Sequence, residues 1–500
     1  MAKEPDNKDS QERMLAIKKA FFIASAGEQK VLRIGLVDCI GFALKNNSEI
    51  KIKKIEPLLS EQDINIAESD FDPSLTLESQ LEDTKVQSSS SSLFSPSTST
   101  SRTGQASLGI EGKTITGTEY NIDFDNKRYK SNASFQIINP YYESNATITI
   151  TQPIFKGFGV LVNRADIVIA KNNFYKSNED FKKELIDVIS KVKQAYYNYI
   201  LYIEKYNTAA ISLTRANDLL NIIQQRKEKG LASDIDLLEA ETGVAEREDI
   251  LLGFGKTLRL AEDELKYITN IIDDIELWNA RIELLDKPSL KREDVDLVES
   301  LKQVFEYRPE YQAAKLELAN QDIRIKVKEN SLLPTIDLIG SFSLNGLNKD
   351  YLESLEDMGS TEYRNWSVGA KVSFPWGHRE AKADYKKAEL TKEQLLIAFD
   401  RLQQGIILEV RDAVRAVNVA EDKINTSNKR KETETARYKA IEKRFREGLV
   451  STHDMLEYQE DLAQAEESYI QAIIDYSNSL IELDRRMGIT LVKNNIKLEE

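Results

Sequence analysis

Two periods of hydrophobic residues alternate along this chain. Between about Asn163 and Lys229, Leu185, Ile189, Val192, Tyr196, Tyr199, Ile203, Tyr206, Ala210 and Leu213 step by three and four, and neither Gly nor Pro interrupts the run. This is a heptad seam, with the three tyrosines as helix-packing residues. It predicts a helix over 160–229, about 100 Å long at about 1.5 Å per residue. Gly230 follows it, where a left-handed residue closes a helix. Ser233 is then placed to cap a return helix over 233–270. The arrangement recurs around Gly448 and Ser451, predicting helices over 378–447 and 451–488.

Elsewhere the period is two. In FDPSLTLESQL (71–81), Leu75, Leu77 and Leu81 oppose Thr76, Glu78 and Gln80, and in SNATITITQPIF (144–155) Ala146, Ile148 and Ile150 oppose threonines. TIDLIGSFSL (335–344) and NWSVGAKVSF (365–374) alternate more cleanly, with Trp366 and Phe374 near the ends of the second. Strands are expected near 73–81 and 144–152 and over 335–344 and 365–374. Such ten-residue segments suit a transmembrane barrel or an amphipathic soluble sheet, and no single strand separates the two.

The remaining segments carry weaker signals. The run from Val31 suits an amphipathic helix, followed by a second helical run to Ser69. Residues 87–103 are serine- and threonine-rich and read as a flexible loop. Residues 105–137, with turns at Gly112 and Gly117, read as an extra hairpin, and 271–292 as a mixed, proline-containing connection. Residues 1–30 are a polar leader with a short patch, AFFIASA (20–26), after Lys18 and Lys19. A weak signal segment and an unstructured start both fit it.

The chain repeats itself. GLASDIDLLE (230–239) and GLVSTHDMLE (448–457) share Gly, Leu, Ser, Asp, Leu and Glu at one offset, 448 − 230 = 218. ALKNNSEI (43–50) aligns with VFEYRPEY (304–311), and DPSLTL (72–77) with LPTIDL (333–338), at an offset of 304 − 43 = 261. The fold class expected is α+β: a tandem duplication, 31–290 and 291–500, each half reading helix, strand hairpin, long helix, turn, long helix. Segment 82–143 is the insertion that changes the offset.

Composition narrows the function. The net charge is −15 with 30% charged residues, which suggests no nucleic-acid partner. A single cysteine, Cys39, rules out an intrachain disulfide framework, and with two histidines no multi-histidine metal site is expected. Cys39 is expected to be buried in a helix. No uncharged apolar run approaches the roughly 18 residues of a spanning helix, so any membrane crossing falls to strands. Neither a nucleotide loop nor a catalytic cluster is apparent; no cofactor and no enzymatic activity are expected. Four strands cannot close a barrel alone, and a sheet facing hydrocarbon tolerates no free edge. Several chains sharing one barrel remove the edges. The long helices, entering from the strands across Pro153 and Pro375, would extend that barrel as a helical tube.

The strand–helix order resembles the TolC-type outer-membrane efflux channels over about residues 31–490. ALKNNSEI (43–50), TQPIFKGFG (151–159), VSFPWG (372–377) and the twin GL-x-S-x-x-D-x-L-E turns carry the resemblance. It implies a homotrimer in the lipid of a Gram-negative outer membrane, with a transmembrane β-barrel continued by a periplasmic α-helical barrel. Its far end would meet a periplasmic adaptor and an inner-membrane transporter, and the segment 82–143 would form an extracellular loop. A soluble or surface coiled-coil scaffold or adhesin with a small sheet is the competing reading.

On the channel reading the twin turns are the periplasmic tip. Asp236 and Glu239, like Asp454 and Glu457, share a helix face. Acids near a helix N-terminus are already favoured by the macrodipole, but six such pairs in a trimer would ring one aperture and attract cations. Gly230-Leu231 and Gly448-Leu449 are candidates for adaptor contact, or else make a local helix-end staple. Relatives of this type latch the tip with a tyrosine and an arginine around the second turn. Phe445 and Val450 occupy those places here, leaving Arg444 or Arg446 as substitutes. His453, beside Asp454, is either a titrating neighbour or an inert surface residue.

Overall fold

The structure is a computed structural model and describes residues 22–23, 31–87, 98–133, 136–271, 278, 280–286, 292–293 and 295–497. In chain order the elements are β1 (Phe22–Ile23), β2 (Val31–Ile34), α1 (Leu36–Asn46), α2 (Ser48–Glu68), β3 (Ser74–Gln87), β4 (Thr98–Lys113), β5 (Glu119–Ser131), β6 (Tyr141–Pro153) and α3 (Ala165–Glu228). They continue as α4 (Asp234–Thr269), β7 (Arg281–Leu284), α5 (Leu297–Tyr307), α6 (Pro309–Asn330), β8 (Thr335–Asn348), α7 (Tyr351–Gly359), β9 (Arg364–Ser373), α8 (Arg379–Arg446) and α9 (Thr452–Met487). The chain divides into two compact units. One comprises Met1–Pro57, Ser177–Ala313 and Asp400–Glu500, and the other Leu58–Lys176 and Ala314–Phe399. Each unit therefore draws on both sequence repeats.

The first unit is a helical body with a small sheet of order β1-β2-β7. Here the sequence reading is corrected: Val31–Ile34 is a strand, parallel to Arg281–Leu284, and the helix begins only at Leu36. Gly35 precedes it with extended backbone, and its N–H donates to Asp38 Oδ2 at 2.9 Å. The β2–β7 pairing was hidden because its two halves lie far apart in sequence. Phe22 and Ile23 of the apolar patch pair with Leu32 and Val31 as an edge strand. The rest of the 1–30 leader and most of 271–292 lie outside the described residues.

Leu32, Ile34, Cys39 and Ile282 join the buried face of α3 (Leu185, Ile189, Val192, Tyr196, Tyr199) in one core. The phenol of Tyr199 donates to Ile282 O at 2.9 Å, and that of Tyr196 to Asp286 Oδ2 at 3.2 Å. Burial pushes both phenols above their ordinary range, so they stay neutral donors. The heptad does not hold to its end. Tyr206 is 36% exposed, and burial passes to Ala209, Ala216, Leu219 and Ile223. A straight helix at 3.6 residues per turn drifts off a 3.5-residue seam in this way.

Where α5, α6, α8 and α9 meet, Arg308 takes the place that Asn47 holds in the first repeat. Asn47 Nδ2 donates to Ile268 O at the end of α4, at 2.9 Å. Arg308 Nη1 donates to Arg486 O at the end of α9, at 3.2 Å. Asn270 and Gly488, which close those two helices, are both left-handed, with φ of 47° and 77°.

The second unit is built on one antiparallel sheet of order β3-β4-β5-β6-β8-β9. Its six strands are the four that the alternation predicts and the two of the hairpin read at 105–137, so the segment 82–143 is not the large loop that the resemblance implies. Most of that segment is sheet. β3 continues to Gln87, and Thr98–Arg102, read as part of a flexible loop, pair with Asp83–Gln87. The extra hairpin β4–β5 sits between β3 and β6, so those two strands are not neighbours. Helix α7 was also missed. It packs on the sheet near the β8–β9 connection, where Ser354 Oγ lies 3.0 Å from Ser144 Oγ. Only glycine fits at 346, because an added Cβ would lie 1.9 Å from Ser354 O.

Candidate functional site

Residues paired across neighbouring strands point to the same face, so the register divides the sheet into two surfaces. One row reads Leu75, Ile110, Ile122, Ile148, Phe342, Trp366, and the next Leu77, Leu108, Phe124, Ala146, Leu344. The opposite face reads Glu78, Ser107, Asp125, Asn145, Asn345 and Thr76, Gly109, Asp123, Thr147, Ser343. The first row is apolar across all six strands, and the second across five, meeting Arg364 on β9. Ile148, Phe342, Trp366 and Val368 on this face are all exposed, Trp366 at 75%. A soluble sheet would cover such a face with helices. β3 and β9 end the sheet, each with its outer edge unpaired among the described residues, and nearly every residue of both is exposed.

Two strands hand over to helices at prolines. Pro153 is the last residue of β6, opposite Asp337, and Gly157 N–H then donates to Asn330 Oδ1 at 2.8 Å. Pro375 follows β9, and the chain turns through Gly377 and His378 at φ 87° and 48° into α8. Phe374 is 55% exposed and Trp376 fully so.

The twin turns lie in the helical unit and are built alike. Gly230 N–H donates to Lys227 O and Leu231 N–H to Arg226 O; Gly448 and Leu449 make the same pair to Phe445 and Arg444. With φ of 75° and 79° at the two glycines, this is the Schellman helix end. Its customary hydrophobic contact is missing, since the residue facing the leucine is an arginine. Leu231 and Leu449 accordingly stand 75% and 64% exposed.

Each return helix starts with a capping box. Ser233 Oγ accepts from Asp236 N–H at 3.1 Å, while Asp236 Oδ2 accepts from Ser233 N–H at 2.8 Å and from its hydroxyl at 2.7 Å. Ser451 and Asp454 repeat the arrangement. The serine hydroxyl and N–H hold both carboxyls below the usual carboxylate range. Asp236 and Asp454 are therefore charged at neutral pH and also structural. Glu239 and Glu457, with His453, Ile235, Leu238 and Arg247, line an open cleft between α4 and α9.

The polar link at the tip is one the sequence reading missed. Phe445 is buried, as its apolar side chain requires, and Arg226 lies over its ring, 4.6 Å from the centroid. Arg226 Nη2 also donates to Phe445 O at 2.7 Å and Arg446 O at 3.2 Å, where a cation is favoured by the helix dipole. Arg446 pairs instead with Glu442 of its own helix at 2.8 Å. A second tie joins Thr452 Oγ1 to Asp236 Oδ1 at 3.1 Å. Replacing Arg226 by Ala is expected to loosen residues 440–452 by about 1–2 kcal/mol. Amide exchange there should speed up while exchange in β3–β6 stays unchanged.

The family model for outer membrane efflux proteins matches residues 120–270 and 301–489, which is most of the chain. The chain belongs to the outer membrane efflux protein family. Its curated relatives include "Toxin and drug export protein A" of Aggregatibacter actinomycetemcomitans, 23% identical over 59% of this chain and 64% of that protein. Another is "Probable efflux pump outer membrane protein TtgC" of Pseudomonas putida, 22% identical over 63% of each. The chain thus spans a little under two thirds of these relatives' length. Among solved structures, the Campylobacter jejuni CmeC outer membrane channel aligns with a TM-score of 0.65 at 17% identity, covering 91% of this chain and 85% of CmeC. VceC of Vibrio cholerae aligns with the same score at 14% identity, covering 91% and 96%. The efflux-protein family fold is shared over nearly the whole chain.

Proposed function

We propose that this chain is the outer-membrane channel of an efflux or secretion system, acting as a homotrimer whose sheets close into one barrel. The exposed apolar sheet face, bounded by two unpaired edges, carries the reading. Hydrocarbon solvates such a face, but leaves the edge N–H and C=O groups unsatisfied unless another copy pairs with them. β3 and β9 run in opposite senses, so β9 of one copy can meet β3 of the next in the same antiparallel pattern. The polar face then lines a water-filled lumen, and the long helices form the periplasmic helical barrel. Export is passive, coupled to an inner-membrane transporter through a periplasmic adaptor. The exposed Leu231 and Leu449 are apolar knobs suited to that adaptor. A soluble coiled-coil scaffold is disfavoured by the same apolar face.

At the tip, Asp236, Glu239, Asp454 and Glu457 form a cation-attracting aperture in this reading. Two carboxylates about 8 Å apart repel by about 2 kcal/mol at an effective dielectric of about 20, so cations are drawn in and anions disfavoured. The experiment is single-channel recording. Glu239→Gln with Glu457→Gln, which spare both capping boxes, is expected to lower the cation-to-anion permeability ratio. Asp454→Asn with Glu457→Gln should lower it too. An unchanged ratio in both variants would remove the aperture from the account.

A further inference from the structure

The placement of the β4–β5 hairpin has a consequence for what the pore can pass. From the sheet register we infer that this hairpin is part of the barrel wall, so that three copies build an 18-stranded barrel that passes wider solutes than the helix-linked strands alone would. The inference rests on the trimeric channel reading and adds the strand count and the pore width to it.

Three observations carry it. β4 pairs with β3 from Ser74–Glu111 to Gln87–Thr98, and β5 pairs with β6 from Glu119–Thr151 to Tyr129–Tyr141. The hairpin therefore fills the whole gap between strands that would otherwise be neighbours. Its faces also continue those of the sheet: Leu108, Ile110, Ile122 and Phe124 fall in the apolar rows, while Ser107, Asn121, Asp123 and Asp125 fall in the polar ones. A hairpin lying outside the membrane, or folded into the lumen, has no need of an apolar stripe in register with its neighbours.

Finally, the hairpin's turn is docked on the strand-to-helix junction. Gly159 N–H donates to Thr116 O at 3.1 Å. Gly117 has φ +92°, and a Cβ there would lie 2.3 Å from Gly157 O. The turn thus sits at the end of the wall where the helices begin, as a short periplasmic turn of a barrel does.

The size effect follows from geometry. With strands about 4.8 Å apart and tilted about 45°, twelve strands enclose a backbone radius of about 13 Å and eighteen about 20 Å. The cross-section rises about twofold. Bulky solutes or polypeptide segments become the class of cargo that this wall accommodates.

Single cysteines test the placement, with buried Cys39 as the silent background. Ser107→Cys and Asn121→Cys are expected to react with a sulfonated, membrane-impermeant maleimide in proteoliposomes. Leu108→Cys and Ile122→Cys are expected to lose that labelling and to react with a lipid-soluble maleimide instead. Electron cryo-microscopy of the unmodified protein in nanodiscs should then show 18 strands in the wall. Equal labelling of both faces, or a 12-stranded wall with the hairpin outside it, would overturn the inference and leave the trimeric channel standing. Absence of any multi-chain barrel would overturn the reading beneath it.

Discussion

Replacing Ile148 by Arg is expected to abolish assembly of the proposed channel, whereas the same change one residue earlier, at Thr147, is expected to leave it intact. Ile148 sits between Ile122 and Phe342 on the apolar face, with Ile150 and Ala146 on either side along β6. Near the middle of a lipid-facing band, an arginine costs about 2–4 kcal/mol. In the proposed trimer three copies would triple that cost, enough to prevent closure of a barrel whose edges must meet in register. Thr147 faces the other way, between Asp123 and Ser343, where a cation meets water and a carboxylate. Phe342→Arg and Ser343→Arg form a second pair with the same contrast. The measurement is the yield of detergent-extracted oligomer from outer membranes. If Thr147→Arg and Ile148→Arg assembled equally well, the apolar face would not be a lipid face.

Arg308→Ala is the second change with a large expected effect, here on the helical unit. The guanidinium is largely buried and holds three elements at once. Nη2 lies 2.6 Å from Glu409 Oε2 on α8, Nη1 donates to Arg486 O at the end of α9, and Nε lies 3.3 Å from Glu310 of α6. Arg486 Nη1 also reaches Glu409, at 2.9 Å. Deleting one member of such a network leaves the others desolvated and underpaired, at a cost of about 3–5 kcal/mol when fully buried. Glu409 is partly exposed, so about 2–3 kcal/mol is expected. Arg308→Lys should recover only part, because a point charge cannot make the forked contacts.

Burial pushes the Glu409 carboxyl upward, but the guanidiniums of Arg308 and Arg486 outweigh it and hold it below the usual carboxylate range. Its contribution is therefore complete above the unfolded value of about 4.3 and fades as pH falls through the lower folded value. Thermal melting should drop in Arg308→Ala at neutral pH, and the gap from the unmodified chain should narrow in acid. A gap that stayed constant with pH would show that the loss is one of packing alone.

The long helices were legible because their ends are chemically marked. Gly230 and Gly448 take left-handed backbone, and Ser233 and Ser451 stand three residues before the aspartates that complete their capping boxes. Both signals are local. The β4–β5 hairpin was legible as a hairpin but not as part of the six-stranded sheet, because Thr98, Ser99, Thr100 and Ser101 are polar on both faces and carry no alternation. Only pairing with β3 makes them a strand. The same limit concealed β2, whose partner Arg281–Leu284 is distant in sequence, and α7, whose seat depends on Gly346 lying beside Ser144.

At the tip, the acids could be found from their spacing, but their division of labour could not. Asp236 and Asp454 are committed to caps, while Glu239 and Glu457 face the cleft. Arg226 escaped notice because its partners, the Phe445 ring and the carbonyl ends of α8, lie on the other hairpin. Phe445 looked like the loss of a polar latch; the structure places a polar tie directly over it.

The mass of the particle extracted from membranes tests the account most directly. Expressed in a Gram-negative cell, the chain should pellet with the outer membrane, stay insoluble until detergent is added, and then weigh as three copies of the 56.9 kDa chain. A monomer that remains in the soluble fraction without detergent would contradict the channel and favour a coiled-coil scaffold.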